Sequence, residues 1–418
     1  MKIVLLSIGT RGDMEPFLAI GDILRGKGHE VVFAFPEQFR SLVEGGNMEF
    51  FSLGKKYIEL LDSDAGKAAL GGDYTGLKKF IAYIKLASKQ TEINKELIYK
   101  QYELVKKYDP DKIVCNSKAV YPVLIEMNNR GKTILVSPVP FIHYVKANTH
   151  VVFNSNFGPF LNKLTYSLAD LGLITTVKIS ARWLNLNEKI SRKGIRIVLH
   201  STKVIYTISP ALFQRPDYWH KNLNIFGYQQ YVTGNNSQKN SLLETFIQKH
   251  RNEKLLMVTL GSMTNPAPEA KTDVLIDILQ RNRIPAIINT ASGGLVEPEK
   301  YDHDLLYFVS DISYDWLFPK LYGVVHHGGS GTTHMALKYG CATMIVPHII
   351  DQFVWNKIVH RLGAGPRGPG INKLTTNKLE PQILELVNNS NYKKKAEHLA
   401  QQMAGEDFTE KLYKFIID

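Results

Sequence analysis

The sequence predicts an α/β protein built from two successive doubly wound parallel-sheet units. Three observations carry that prediction. Short apolar, β-rich runs alternate with helical patterns, the alternation restarts after a polar turn-rich stretch, and each half opens with a strand running into a glycine turn. The 418 residues leave room for two or three domains with real cores.

Taken in order, Lys2 to Ser7 reads as a buried strand, Gly9 to Gly12 as a turn, and Phe17 to Gly26 as an amphipathic helix stopped by Gly26-Lys27-Gly28. Glu30 to Phe35 is a second strand, and Ile113 to Cys115 and Thr133 to Val136 are further short ones, each followed by turn residues. Lys203 to Thr207 and Leu223 to Gly227 close the first unit. The polar run 231–241 is the best linker in the chain. Leu255 to Leu260 then restarts the pattern and feeds the turn Gly261-Ser262. Ala286 to Thr290, Leu305 to Val309, Gly323 to His326 and Ala342 to Pro347 follow as strands. Ligands of such sheets collect at the carboxyl ends of strands, and the natural place here is the cleft between the units.

Composition narrows the class. With 44% hydrophobic, 10% aromatic and 22% charged residues, the chain as a whole is not disordered. No apolar run approaches the ~20 residues of a spanning helix. The opening Ile3 to Ile8 resembles a secretion signal only superficially, because Arg11 and Asp13 follow where a small-residue cleavage site belongs. Two distant cysteines, Cys115 and Cys341, make no disulfide framework and fit a reducing cytoplasm.

Lys plus Arg is 51 against 39 for Asp plus Glu, a formal +12. Such a balance suits an anionic partner or membrane surface. Eight lysines and three glutamates lie between Lys78 and Lys107 in a helical rhythm, and a second basic stretch runs from Lys178 to Lys203. These are either solvated helix faces or a surface resting on anionic lipid at the inner face of the membrane. Zinc-finger spacing, RNA-recognition motifs and arginine-rich tails are absent, which speaks against nucleic acid.

The densest chemical signal is His326-His327-Gly328-Gly329-Ser330-Gly331-Thr332-Thr333 between a strand and a helix. A Gly-rich turn entering a helix N-terminus offers backbone N–H groups and the positive dipole end, which together bind phosphate. The Walker lysine is missing, Thr332 stands where a nucleophile elbow needs its last glycine, and no third ligand sits at metalloprotease spacing. Asp351-Gln352 follows the next strand. Asp351 reads as a helix N-cap, and the pair also suits recognition of sugar hydroxyls. Asp13 reads from the residues alone as an N-cap or turn carboxylate.

The segment from His326 to Gly365, with H-H-G-G-S-G-T-T, D-Q-F and L-G-A-G-P, resembles the donor-binding signature of UDP-dependent glycosyltransferases of family 1. Gly9-Thr10-Arg11-Gly12-Asp13-Met14-Glu15-Pro16-Phe17 is similar to the opening of the sterol and antibiotic glucosyltransferase branch. The resemblance implies a GT-B architecture, two Rossmann-like domains facing a deep cleft. An acceptor-binding domain would span 1–230 and a nucleotide-sugar-binding domain 242–400, with a C-terminal helix in 401–418 packing back on the first.

It further implies inverting transfer of a hexose, UDP-glucose first among donors, to a lipophilic hydroxyl, with no cofactor and no obligatory metal. Asp13 would be the general base. His327 would meet the nucleotide phosphates and lie at a surface turn. Gly329, Ser330, Gly331 and Thr332 would form the cradle, Gly261 and Ser262 a second turn on the diphosphate, and Ile312 the main-chain partner of the base. Asp351 and Gln352 would hold the hexose, and Arg11 and Gly12 complete the donor set. TDP-sugars stay open, because Asp311-Ile312-Ser313-Tyr314 replaces the Trp-containing stretch of many members. Phe141, His143 and Tyr144 are candidates for an apolar acceptor pocket, although the aromatics of this middle segment equally suit a core. Two other readings remain: an NAD(P)-dependent oxidoreductase, weakly hinted at by Gly9-x-x-Gly12, and a non-catalytic nucleotide-sugar or lipid-surface module.

Overall fold

The computed structural model describes the chain except residues 47, 64–75, 154, 187–189, 232–240, 262–264, 266 and 292; of residues 62 and 76–88 only the backbone is described. Most of the predicted linker 231–241 thus lies outside the described residues. The chain divides into two compact units, one built from Met1–Ala65, Ile81–Val232 and Asp407–Asp418, the other centred on Thr233–Glu406.

In the first unit the strands are β1 Lys2–Leu6, β2 Glu30–Phe35, β3 Glu49–Ser52, β4 Lys112–Cys115, β5 Thr133–Ser137, β6 Lys203–Tyr206 and β7 Leu223–Ile225. They form one parallel sheet in the order β3-β2-β1-β4-β5-β6-β7, with Val4 opposite Val32 on one side and Ile113 on the other. A parallel sheet needs both faces covered, which is why β1 is apolar along its length. Ile3 and Leu5 pack with Phe17 of the helix Arg11–Gly26 and with Leu412 and Ile416 of the terminal helix Thr409–Ile417. Val4 and Leu6 pack on the opposite face with Leu97 and Leu104 of the helix Gly76–Tyr108.

The second unit repeats the plan. Its strands are β8 Leu256–Thr259, β9 Ala286–Asn289, β10 Leu306–Val309, β11 Gly323–His326 and β12 Ala342–Ile345, in the parallel order β10-β9-β8-β11-β12. In both sheets the order reverses beside the first strand, between β1 and β4 and between β8 and β11. Ligand crevices of such folds open at this reversal, at the carboxyl ends of the strands.

One local expectation is corrected, and one strand was not anticipated. The first helix begins at Arg11 instead of Phe17, because the Asp13 carboxylate accepts from Thr10 N at 2.9 Å and closes the helix N-terminus early; Arg11 and Gly12 are therefore helical. Strand β3, Glu49-Phe50-Phe51-Ser52, is a short edge strand whose two phenylalanines are only half-buried, and its four residues lack the unbroken apolar run of the central strands.

Candidate functional site

In the first unit the turn after β1 meets the turn after β4. Asp13 sits in the first turn of its helix, at the third helical position and not the N-cap. Its Oδ2 accepts from Thr10 N, and its Oδ1 lies 2.9 Å from Lys118 Nζ. Its side chain stays partly open, 24% exposed. Gly9 is required here: its φ is +146°, and a Cβ on it would overlap the Asp13 carboxyl. Below the turn, buried Asn116 donates to Ser7 Oγ at 3.0 Å and to Ile8 O at 2.7 Å, while Ser7 Oγ donates to Asp13 O at 2.8 Å. The base of the turn is thereby fixed by hydrogen bonds from both strands. Arg11 is exposed and pairs with Glu15 at 3.3 Å.

The loop after β5 carries the acceptor candidates. Phe141 is buried edge-on against Phe213 at 5.6 Å. The His143 ring nitrogen Nδ1 lies 2.6 Å from the Tyr206 hydroxyl, and burial lowers its pKa to about 4, so the ring is neutral near pH 7. Tyr144 packs against Tyr166 of the helix Pro159–Trp183 at 5.4 Å and against Tyr218 at 6.0 Å. The three candidates share one aromatic cluster, in which Phe141 is core.

In the second unit the turns after β8 and β11 enclose the His327 imidazole. His327 is only 7% exposed, which corrects the expected surface turn. The ring fits because glycines flank it. A Cβ on Gly261 would overlap Cε1 and one on Gly329 would stand 2.5 Å from Nε2. Burial lowers the His327 pKa to about 4, and its Nδ1 finds no partner among the described residues. A neutral imidazole carries one N–H and one acceptor nitrogen, and a buried polar atom without a partner awaits one.

Gly329 is the N-cap of the helix Ser330–Lys338. The first helical bond runs from Thr333 N to Gly329 O at 2.9 Å, so the N–H groups of Ser330, Gly331 and Thr332 precede the helical ladder. With the dipole they make an anion site beside the imidazole. Buried His334 holds this first turn, its Nδ1 lying 2.7 Å from Ser330 O.

Gly328, at φ +94°, brings the next helix, Ile350–Leu362, against the turn. A Cβ there would meet Gln352 Cβ at 3.2 Å. Gln352 is buried, and its Oε1 accepts from His348 N at 2.7 Å and Ile349 N at 3.2 Å, leaving the amide nitrogen for other partners. Asp351 is half-buried in the first turn. It is not the N-cap, because Ile349 is the extended residue before the helix. Ile312 is half-buried after β10. Its neighbour Tyr314 stacks on Phe318 at 4.5 Å, with its hydroxyl 3.4 Å from Thr259 Oγ1 at the end of β8. Ser262 lies outside the described residues.

Three residues of these sites escape sequence reasoning: Lys118, Asn116 and His348. The first two belong to a polar turn directly after a buried strand, and the reversal of strand order places that turn beside Asp13. His348 is buried. Burial, and then neighbouring His327, push its pKa to about 3, and its Nε2 also lacks a described partner. Among the described residues no group of three His, Cys, Asp or Glu could hold a metal ion.

Comparisons with known proteins give two family matches. Residues 3–105 match the glycosyltransferase family 28 N-terminal domain, and residues 306–416 match the erythromycin biosynthesis protein CIII-like C-terminal domain. The sterol 3-beta-glucosyltransferase UGT80A2 of Arabidopsis thaliana is 28% identical over 97% of this chain, which spans 64% of that relative's length. The glycosyltransferase SnogD from Streptomyces nogalater superposes with a TM-score of 0.67 at 16% identity, covering 100% of this chain and 99% of its own. The Streptomyces glycosyltransferase SsfS6 complexed with thymidine diphosphate gives 0.62 at 16% identity over the whole of both chains. These likenesses show the fold, that of GT-B glycosyltransferases.

Proposed function

We propose, for a chain that belongs to the sterol and antibiotic branch of the family 1 glycosyltransferases, transfer of a hexose from UDP-sugar, UDP-glucose first, to the hydroxyl of a lipophilic acceptor. The observation that carries this reading is the His327 turn. A neutral, enclosed imidazole with an unpartnered nitrogen sits beside the open N–H groups of a helix, a set matched to the oxygens of a diphosphate leaving group.

In the proposed step the acceptor oxygen forms a bond to the anomeric carbon on the face opposite the nucleotide. The bond from that carbon to the UDP oxygen breaks, and UDP leaves with the electron pair. Asp13 takes the acceptor proton. A free alcohol is a weak nucleophile near neutral pH, so the positioned carboxylate accelerates attack as the proton moves. The His327 N–H and the helix N-terminus meet the charge that develops on the diphosphate, work that a metal does elsewhere. Asp351 and the Gln352 amide nitrogen are assigned to the hexose hydroxyls, and Ile312 and Gly261 to the nucleotide. The aromatic loop carrying Phe141, His143 and Tyr144 is assigned to the acceptor.

A cytoplasmic setting, with peripheral contact to anionic membrane, suits two buried free thiols and the net charge of +12. No helix among the described residues is long and apolar enough to cross a membrane.

The test is transfer of labelled glucose from UDP-glucose to a sterol, with thermal shifts in UDP, TDP and NAD alongside. A ligand at ~100 times its dissociation constant stabilises by about 2.7 kcal/mol. Stabilisation by UDP with a labelled sterol product supports the reading. Stabilisation by TDP alone moves the donor to TDP-sugars, and stabilisation by NAD alone overturns it.

A further inference from the structure

The helix Pro159–Trp183 packs on the first unit with one side only. Asn162, Tyr166, Ile174, Val177 and Ala181 are buried, and the opposite side is apolar as well. Phe160 is 84% exposed and Leu168 49%, with Leu161, Leu164, Leu171 and Ile179 also exposed. At 100° per residue these six fall within roughly one-third of the helix circumference; Phe160 to Leu171 form a contiguous apolar stripe about 17 Å long, and Ile179 lies two turns further on, beyond exposed Thr175. A soluble surface rarely leaves so much contiguous apolar area open.

The stripe has a basic border. Lys163, Lys178 and Arg182 belong to the same helix, and the neighbouring helix Arg192–Ser201 exposes Arg192, Lys193 and Arg196. Along 159–201 the acid among the described residues is Asp170, which is half-buried with its Oδ2 3.0 Å from His200.

We propose that this stripe and its basic border are a docking face for an anionic lipid bilayer. The helix would lie in the interfacial plane, with Phe and Leu in the acyl boundary and Lys and Arg among the headgroups. Charge decides against a second copy of the chain. A two-fold interface would bring the same patch from both subunits together, and with it two sets of six basic side chains. The buried side of the helix adds a consequence that rests on the proposed function. Tyr166 packs on Tyr144, and Thr165 Oγ1 accepts from His150 N at 2.9 Å, so the helix holds the loop assigned to the acceptor. One helix then touches lipid with one side and seats the acceptor loop with the other, which suits an acceptor drawn from the bilayer.

The full chain is sedimented with vesicles of phosphatidylcholine alone, or of equal parts phosphatidylcholine and phosphatidylserine. Binding is expected to the mixed vesicles at low salt, falling as salt rises. The triple change Leu164→Glu, Leu168→Glu and Leu171→Glu, at exposed positions, is to weaken binding by roughly tenfold or more, as is Arg192→Glu with Lys193→Glu and Arg196→Glu. Both variants are to keep wild-type turnover on a detergent-solubilised acceptor and lose it on acceptor presented in vesicles. Unchanged vesicle binding by both variants, or a wild-type dimer that Leu164→Glu dissociates, overturns the docking face and leaves the transfer reading standing. Normal vesicle binding without transfer to any acceptor sinks the transfer reading and leaves the docking face standing.

Discussion

Lys118 Nζ lies 2.9 Å from Asp13 Oδ1, although the two residues are 105 positions apart in the chain. The contact exists because β4 pairs directly with β1, so the turns that leave the two strands meet at the point where the strand order reverses. With Thr10 N on the other oxygen, the Asp13 carboxylate is held from two sides and kept partly open. For the base role proposed for Asp13, this holds the carboxylate in one orientation while part of it stays open.

Asp13→Asn tests the base directly. The change keeps size and the acceptor that bonds Thr10 N, but removes the ability to take a proton. Turnover is expected to fall about 10²–10⁴-fold with UDP affinity nearly unchanged. The measurement is steady-state transfer to a lipophilic alcohol beside UDP calorimetry. Turnover within a few-fold of wild type would place the base elsewhere.

Lys118→Met tests positioning. Methionine retains most of the stem and removes the charge that fixes Oδ1. Because Thr10 N still holds Oδ2, turnover is expected to fall by only about tenfold, again at constant UDP affinity. Rescue by Lys118→Arg would confirm the ion pair as the cause; a Lys118→Met enzyme with wild-type turnover would reduce the contact to a surface salt bridge.

The central strands were readable because parallel strands buried on both faces are unbroken apolar runs, as in Ile3 to Leu6 and Val324 to Val325. Edge strand β3, with Phe50 and Phe51 only half-buried, sends no such signal. The motif residues around His327 were also legible as types. Their packing was not, since the imidazole is buried by two glycines that come from different strands and are 68 positions apart. Lys118 stayed hidden for the same reason. A pairing between turns depends on strand order, and no local pattern encodes it.

His327 and Gly329 are expected to act as one unit on the diphosphate. His327→Ala removes a hydrogen bond to a charged group, worth about 1.5–3 kcal/mol or roughly ten- to more than hundredfold in UDP affinity. Gly329→Ala puts a methyl 2.5 Å from Nε2 and displaces the ring, so its loss should be similar. In the His327→Ala background the same glycine change should cost little, because the atom it strikes is gone. Calorimetry on the four proteins gives the coupling, and independent losses would separate the glycine from the imidazole.

Stability should fall as pH drops below the ordinary histidine range. Burial lowers His327 and His334 to about 4, and His348 to about 3, from 6.5. Their folded forms are neutral, so the unfolded chain binds protons first as pH falls. The contribution is fully present above 6.5 and is lost from there down through the folded values, at about 1.4 kcal/mol per pH unit for each histidine. Glu37, lowered to about 2 by its bond with Arg40, loses its contribution only below the ordinary carboxylate range. The interval from 6.5 to 5 therefore isolates the histidines. Urea midpoints across it should decline steadily, and His334→Asn, whose amide nitrogen takes the place of Nδ1 toward Ser330 O and cannot be protonated, should shallow the slope by about one proton. A midpoint that stays level from pH 7 to 5 would mean that these rings are protonated as readily folded as unfolded, and the enclosed imidazole at the diphosphate turn would lose its physical basis.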